Sequence, residues 1–261
     1  MTYLGTRPPT VDEWDKYELH HRARLATKPG LTGMWQVSGR SNITDFPNVF
    51  INFYNILNLS WTETVSLHFD DEDRDEFLTE TMTSLFKLFA AACFGIVACM
   101  PFVFPILINE KYVAGYDQIL ILMYAMLFRV LVGLYSCIYV AQKNAKKIAY
   151  TSISAAIINI TVNLILINKI KIFAASISTL VAFFSMFIIR YIDVNKTVHM
   201  RIRKPIIIGS ILIGTMLIGT YYCENKMIQL IALCITAIYA VLTNVDMLKS
   251  GMKLVKNRFG K

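Results

Sequence analysis

From about Ser84 onward the chain is a succession of long apolar runs separated by short polar gaps. They are Leu88–Ile108, Ile119–Val140, Ile148–Ile167, Ile172–Ile189, Pro205–Tyr222 and Met227–Leu242. A hydrocarbon core of roughly 30 Å needs about 20 apolar helical residues to cross it. Backbone groups in lipid must satisfy each other, so the pattern predicts six transmembrane helices. Val49–Trp61 is apolar too, but its 13 residues are too few to span. It reads as an interfacial helix or the stump of a span, with Trp61 placed as an interfacial anchor. Asp70–Glu76 then reads as an acidic, helix-initiating face, without the glycine and ligand spacing of a calcium loop.

The gaps between the runs are unequal in charge. Lys143, Lys146 and Lys147 follow the second run, and Arg190, Lys196, Arg201, Arg203 and Lys204 follow the fourth. Lys249, Lys253, Lys256, Arg258 and Lys261 follow the sixth. The alternate gaps hold Lys111, then Lys169 and Lys171, then Lys226. One side thus collects 13 basic residues and the other 4. Basic loops stay in the cytoplasm, so both chain ends are expected there. The chain has 261 residues, is 55% hydrophobic and carries a formal charge of +8. With the excess sitting beside apolar runs, the partner it implies is an anionic bilayer surface and not a nucleic acid. Residues 1–30 lack the apolar core of a secretory signal, so the internal runs are expected to direct insertion.

Cys93, Cys99, Cys137, Cys223 and Cys234 form no C-x-x-C pair and read as small packing residues. Thr10 with Glu13 fits a helix start, and the tandem His20-His21 reads as a solvated helix face. No metal or cofactor is expected.

The polar first third contains a more specific pattern. Gly5-Thr6-Arg7-Pro8-Pro9 is followed by Lys28-Pro29-Gly30-Leu31-Thr32-Gly33-Met34-Trp35-Gln36-Val37-Ser38-Gly39-Arg40, then Ser41-Asn42-Ile43-Thr44-Asp45-Phe46. Residues 1–46 resemble the C-terminal end of bacterial polyprenyl-phosphate sugar phosphotransferases. Such enzymes transfer a sugar phosphate from a nucleotide-sugar to undecaprenyl phosphate at the cytoplasmic membrane face. The resemblance implies Arg7, Lys28 and Arg40 as phosphate or nucleotide-sugar contacts, with glycine turns bringing backbone N–H groups near the anion. The family's catalytic Asp-Glu pair lies upstream of this segment. Asp12-Glu13 follows the Arg-Pro-Pro turn and does not match it, so no catalytic residue is assigned.

Farther along, Phe53-Tyr54-Asn55 runs into Ser60-Trp61-Thr62-Glu63, followed by the acidic linker and a run carrying Pro101 and Pro105. The Lys111-Tyr112 loop, the Asn144-Ala145-Lys146-Lys147 turn and the Asn159/Asn163 run come next. In order and spacing, residues from about 48 to 250 resemble the C-terminal half of oligosaccharide flippases of the Wzx type, in the multidrug/oligosaccharidyl-lipid/polysaccharide exporter superfamily. The resemblance implies one lobe of a two-lobed, MATE-like fold.

The expected fold class is therefore an all-α polytopic membrane protein of about six transmembrane helices, preceded by a small cytoplasmic segment. The expected domains are 1–46, a transferase-like tail; 47–83, an interfacial helix and acidic linker; 84–250, the transmembrane lobe; and 251–261, a basic tail. The chain reads as a join near Phe46/Pro47 between two neighbours of one polysaccharide pathway.

Three polar residues stand inside the predicted spans. Arg129 lies near the middle of the second, where an arginine costs about 2.5–3.5 kcal/mol on insertion scales. It should face a cavity or a partner, either as a contact for a pyrophosphate-linked glycan or as a packing charge. Asn159 and Asn163 share one face of the third span and suit interhelical hydrogen bonds. The expected function is flippase-like export of undecaprenyl-diphosphate-linked oligosaccharide across a bacterial inner membrane. Its partners would be the bilayer, the undecaprenyl-linked glycan and a protein supplying the missing lobe. The alternatives are an undecaprenyl-phosphate sugar phosphotransferase lacking its catalytic Asp-Glu pair and a fusion without activity.

Overall fold

The computed structural model describes residues 2–4, 30–32, 46–107, 115–223 and 225–250. By chain contacts it divides into two units, Met1–Asn48 and Val49–Lys261. In the first, β1 (Thr2–Leu4) pairs in parallel with β2 (Gly30–Thr32), with Thr2 opposite Gly30 and Leu4 opposite Thr32. These three-residue strands are the only β-structure among the described residues.

The second unit is helical. It comprises α1 (Phe46–Leu67), α2 (Arg74–Leu107), α3 (Tyr116–Ala141), α4 (Ala145–Ile170), α5 (Ile172–Val194), α6 (Lys204–Tyr221) and α7 (Lys226–Thr243). Among the described residues the six from α2 to α7 are long and apolar enough to cross a membrane. The fold is thus an all-α polytopic membrane bundle.

Helix starts follow local chemistry. The acidic run ends in the first turn of α2, where Asp75 and Glu76 face the positive end of the helix dipole. The Asn144 side chain caps α4 by accepting from the Lys147 N–H at 3.3 Å. Asn225 caps α7 by accepting from the Met227 N–H at 2.9 Å. Pro205 occupies the first turn of α6, where no backbone N–H is missed. The α3–α4 and α4–α5 hairpins turn on two lysines in the left-handed region, Lys143 (φ 55°) and Lys171 (φ 48°).

Helices run past the apolar limits. α2 begins 14 residues before Leu88 because the acidic stretch continues the helix as an amphipathic extension. Its first turns hold the α5–α6 connection: the His199 N–H donates to Asp75 Oδ2 at 3.0 Å, and Arg203 pairs with Glu80 at 2.7 Å. Val49–Trp61 lies within the 22-residue α1. Trp61, expected as an interfacial anchor, is instead 2% exposed, and its indole N–H donates to the Leu134 carbonyl at 3.1 Å. The reason is close approach. Gly133 on α3 has no side chain, and an added Cβ there would overlap the Tyr54 hydroxyl.

The core sits between α2, α3 and their neighbours, filled by Phe89, Phe94, Met123, Leu134, Tyr135 and Ile138. Half of the apolar stretch of α2 and of α3 is buried, against 11% in α4. α4 packs chiefly on α5. Its outer face exposes Ile153, Ile157, Ile160 and Leu164, a surface suited to lipid and not to water.

The two prolines of α2 do not end it. Pro105 has no N–H to offer the carbonyl four residues back, that of Pro101. Lys226 fills the gap: its Nζ donates to the Pro101 carbonyl at 3.1 Å and lies 5.7 Å from the Phe102 ring centre.

Candidate functional site

The densest polar constellation lies where the end of α3, the start of α4 and the end of α5 meet. It is centred on Arg190, 2% exposed and inside α5. Sequence reasoning had counted this arginine as a loop charge. Its Nε and one terminal nitrogen donate to Thr151 Oγ1 at 3.0 and 2.9 Å. The nitrogen shared with Thr151 also donates to Ser152 Oγ at 3.4 Å, and the other terminal nitrogen donates to the Val132 carbonyl at 3.0 Å. No carboxylate pairs with it among the described residues. A buried charge must be hydrogen-bonded if not paired, and these acceptors meet that need.

Beside it, Lys147 Nζ reaches Asp193 Oδ2 at 2.7 Å, and the Tyr139 hydroxyl donates to the same oxygen at 2.9 Å. Lys147, Thr151, Asp193, Lys196 and Tyr139 line a groove of about 430 Å³ with apolar walls from Tyr150, Ile189 and Ile192. Two lysines against one aspartate leave this groove electropositive, and Arg190 is hydrogen-bonded to its Thr151. Chemically it can hold a phosphate or carboxylate.

A second groove of about 430 Å³ runs along α4 and α5 at mid-depth, lined by Ser152, Ala155, Ala156, Asn159, Thr179 and Phe183 among others. Asn159 is in it as an interhelical residue. Its Nδ2 donates to Thr179 Oγ1, and Ser178 Oγ donates to its Oδ1, both at 3.5 Å. Asn163 is half-buried one turn on. Arg129 is exposed on α3, with its guanidinium 5.9 Å from the centre of the Phe183 ring. Phe183 therefore joins Arg129 to the second groove. Arg7, Lys28 and Arg40 lie outside the described residues.

Reasoning from apolar runs missed Arg190 because the run stops at Ile189. The signal was helical phase. Ala182, Met186, Arg190 and Val194 recur every four residues, and all four are buried.

Comparison with known proteins bears on the other end of the chain. Residues 1–88 match the family model described as bacterial sugar transferase. A stretch of 49 residues is 59% identical to the galactosyl transferase CpsE of Streptococcus agalactiae serotype III, covering 19% of this chain and 11% of that protein. A stretch of 62 residues is 37% identical to the undecaprenyl-phosphate galactose phosphotransferase of Salmonella typhimurium, covering 24% and 13%. Over 69 residues it is 36% identical to an uncharacterized sugar transferase of Haemophilus influenzae, covering 26% and 15%. The chain thus spans about a tenth to a seventh of the length of these relatives. No solved structure matches it. The similarity is to sugar transferases, with none to flippases among these matches, and the family match lies in the N-terminal third.

Proposed function

We propose that this chain acts at the bacterial cytoplasmic membrane in polysaccharide biosynthesis, through a sugar-transferase segment that serves phosphosugar transfer to undecaprenyl phosphate. The supporting observation is the 59% identity to a galactosyl transferase over 49 residues, together with a family match covering residues 1–88. Arg7, Lys28 and Arg40 are the proposed contacts for the nucleotide-sugar phosphates, since guanidinium and ammonium groups on glycine turns suit a diphosphate. The helical bundle would tether the chain to the membrane, where the lipid acceptor resides. Transfer forms the bond between the acceptor phosphate and the sugar phosphate, and releases the nucleoside monophosphate.

The test is release of UMP from a panel of UDP-sugars by the full chain in micelles containing undecaprenyl phosphate. Expected is acceptor-dependent UMP release that Arg40→Ala or Lys28→Ala lowers by about tenfold or more, the loss of one charge-assisted contact. No release above a protein-free blank, or release unchanged in both variants, would contradict the reading.

The second reading is the flippase-like one, in which the bundle moves undecaprenyl-diphosphate-linked oligosaccharide and needs another lobe to do so. It is favoured by the polar mid-depth surface around Arg129 and Asn159, a feature an anchor has no need of. Transfer of a fluorescent lipid-linked oligosaccharide between leaflets of vesicles, in the absence of UMP release, would select it.

A further inference from the structure

Arg129 stands about 18–20 Å from either end of α3, at 1.5 Å per residue, and yet its side chain is exposed. An arginine facing lipid at that depth costs about 2.5–3.5 kcal/mol on insertion scales. Among the described residues no carboxylate pairs with it. The acids of the six spanning helices are Asp75, Glu76, Glu80, Asp117 and Asp193, all close to helix ends. A second copy of this chain would bring the same spans and hence no mid-depth carboxylate either.

The surface beside Arg129 is also not built for lipid. The groove next to it is floored by Ala155, Ala156 and Ala182, small enough for another backbone to approach. Asn159 and Thr179 line it, and the hydrogen bond between them, at 3.5 Å, is long. Ile160, one of the exposed isoleucines of α4, borders the groove.

The geometry points to an interaction surface for a transmembrane helix of a different polypeptide, one carrying an Asp or Glu at mid-depth that pairs with Arg129 while its backbone lies in the Ala155–Ala156–Ala182 groove. The charge specifies the partner's residue and the groove specifies its shape. This assignment stands whichever activity the N-terminal segment has.

The full chain, donor-labelled in phosphatidylcholine bilayers near neutral pH, is titrated with acceptor-labelled transmembrane peptides of about 20 apolar residues bearing Glu, Gln or Leu at the centre. The Glu peptide should bind about tenfold more tightly than the Leu peptide, as an intramembrane polar contact allows. Arg129→Leu should abolish that preference and Arg129→Lys should retain it, which guards against a merely unfolded variant. Ala156→Phe, which fills the groove while leaving Arg129 in place, should weaken binding of the Glu peptide. Equal binding of all three peptides, or a Glu preference that survives Arg129→Leu, would overturn the assignment. So would release of the Glu peptide by a small fraction of phosphatidylglycerol, which would give Arg129 to a lipid phosphate.

Discussion

Arg190 is the residue on which one end of the bundle is organised. Its guanidinium replaces the water it lost with a hydroxyl used twice and one carbonyl. Thr151→Val keeps the shape of that hydroxyl-bearing side chain and removes the acceptor. The variant should lose about 2–3 kcal/mol of stability, the worth of hydrogen bonds to a buried charge, and thermal unfolding in detergent would measure it. Ser154→Ala, whose hydroxyl bonds only its own helix, should be nearly silent by comparison. Arg190 also shows what the residue pattern conveyed and what it did not. The bases beside apolar runs were legible as a set, and their sum gave a charge asymmetry. Which one turns inward depended on where α5 ends, and helix ends are set by hydrogen bonding that composition does not display. Arg129 is the converse: its position at mid-span was plain from spacing, while its exposure needed the packing of α3 against α5.

Among the elements, α2 is the one whose integrity depends on a neighbour. Pro105 leaves the Pro101 carbonyl without its helical donor, and Lys226 supplies one from α7. Lys226→Met should destabilise the bundle by about 1–3 kcal/mol, the cost of an unsatisfied buried acceptor. In a Pro105→Ala background, where the backbone N–H returns, the same change should cost clearly less. A double-mutant cycle by thermal unfolding gives the coupling. The prolines were visible in the sequence and so was the lysine, but 125 residues separate Lys226 from Pro101. No local rule joins them.

α1 depends on a glycine in the same way. Gly133→Ala places a methyl group into the Tyr54 hydroxyl. It should push α1 off α3 at about 1–3 kcal/mol, as overpacking does. With Trp14 and Trp35 replaced by Phe, Trp61 fluorescence should shift to the red and become quenchable as its bond to Leu134 opens. The 13-residue apolar run predicted a helix there; its burial came from Gly133, which reads in sequence only as one small residue in a span.

For the whole molecule, the six-helix membrane fold was legible because lipid imposes long apolar runs and leaves helices as the available structure. The positions of the six runs and the six helices agree, with ends extended where polar residues continue a turn. The pairing of α4 with α5, and the thin cover on α4, were not legible, since the few polar residues in these spans do not by themselves say which helix they face. The N-terminal transferase likeness was legible from its glycine, proline and arginine pattern, and the family match to residues 1–88 carries it past residue 46. Most of residues 1–45 fall outside the described residues, so the proposed function rests on sequence likeness and the bundle rests on structure.

The account requires six membrane crossings, with the ends of α3, α5 and α7 on the cytoplasmic side. Alkaline phosphatase fused in turn after Lys111, Lys143, Lys171, Lys196, Lys226 and Lys261, in intact bacterial cells, measures this directly. Activity is predicted after Lys111, Lys171 and Lys226, and none after Lys143, Lys196 and Lys261. The reverse pattern would contradict the orientation, and activity at adjacent sites on both sides of one helix would contradict the crossing itself.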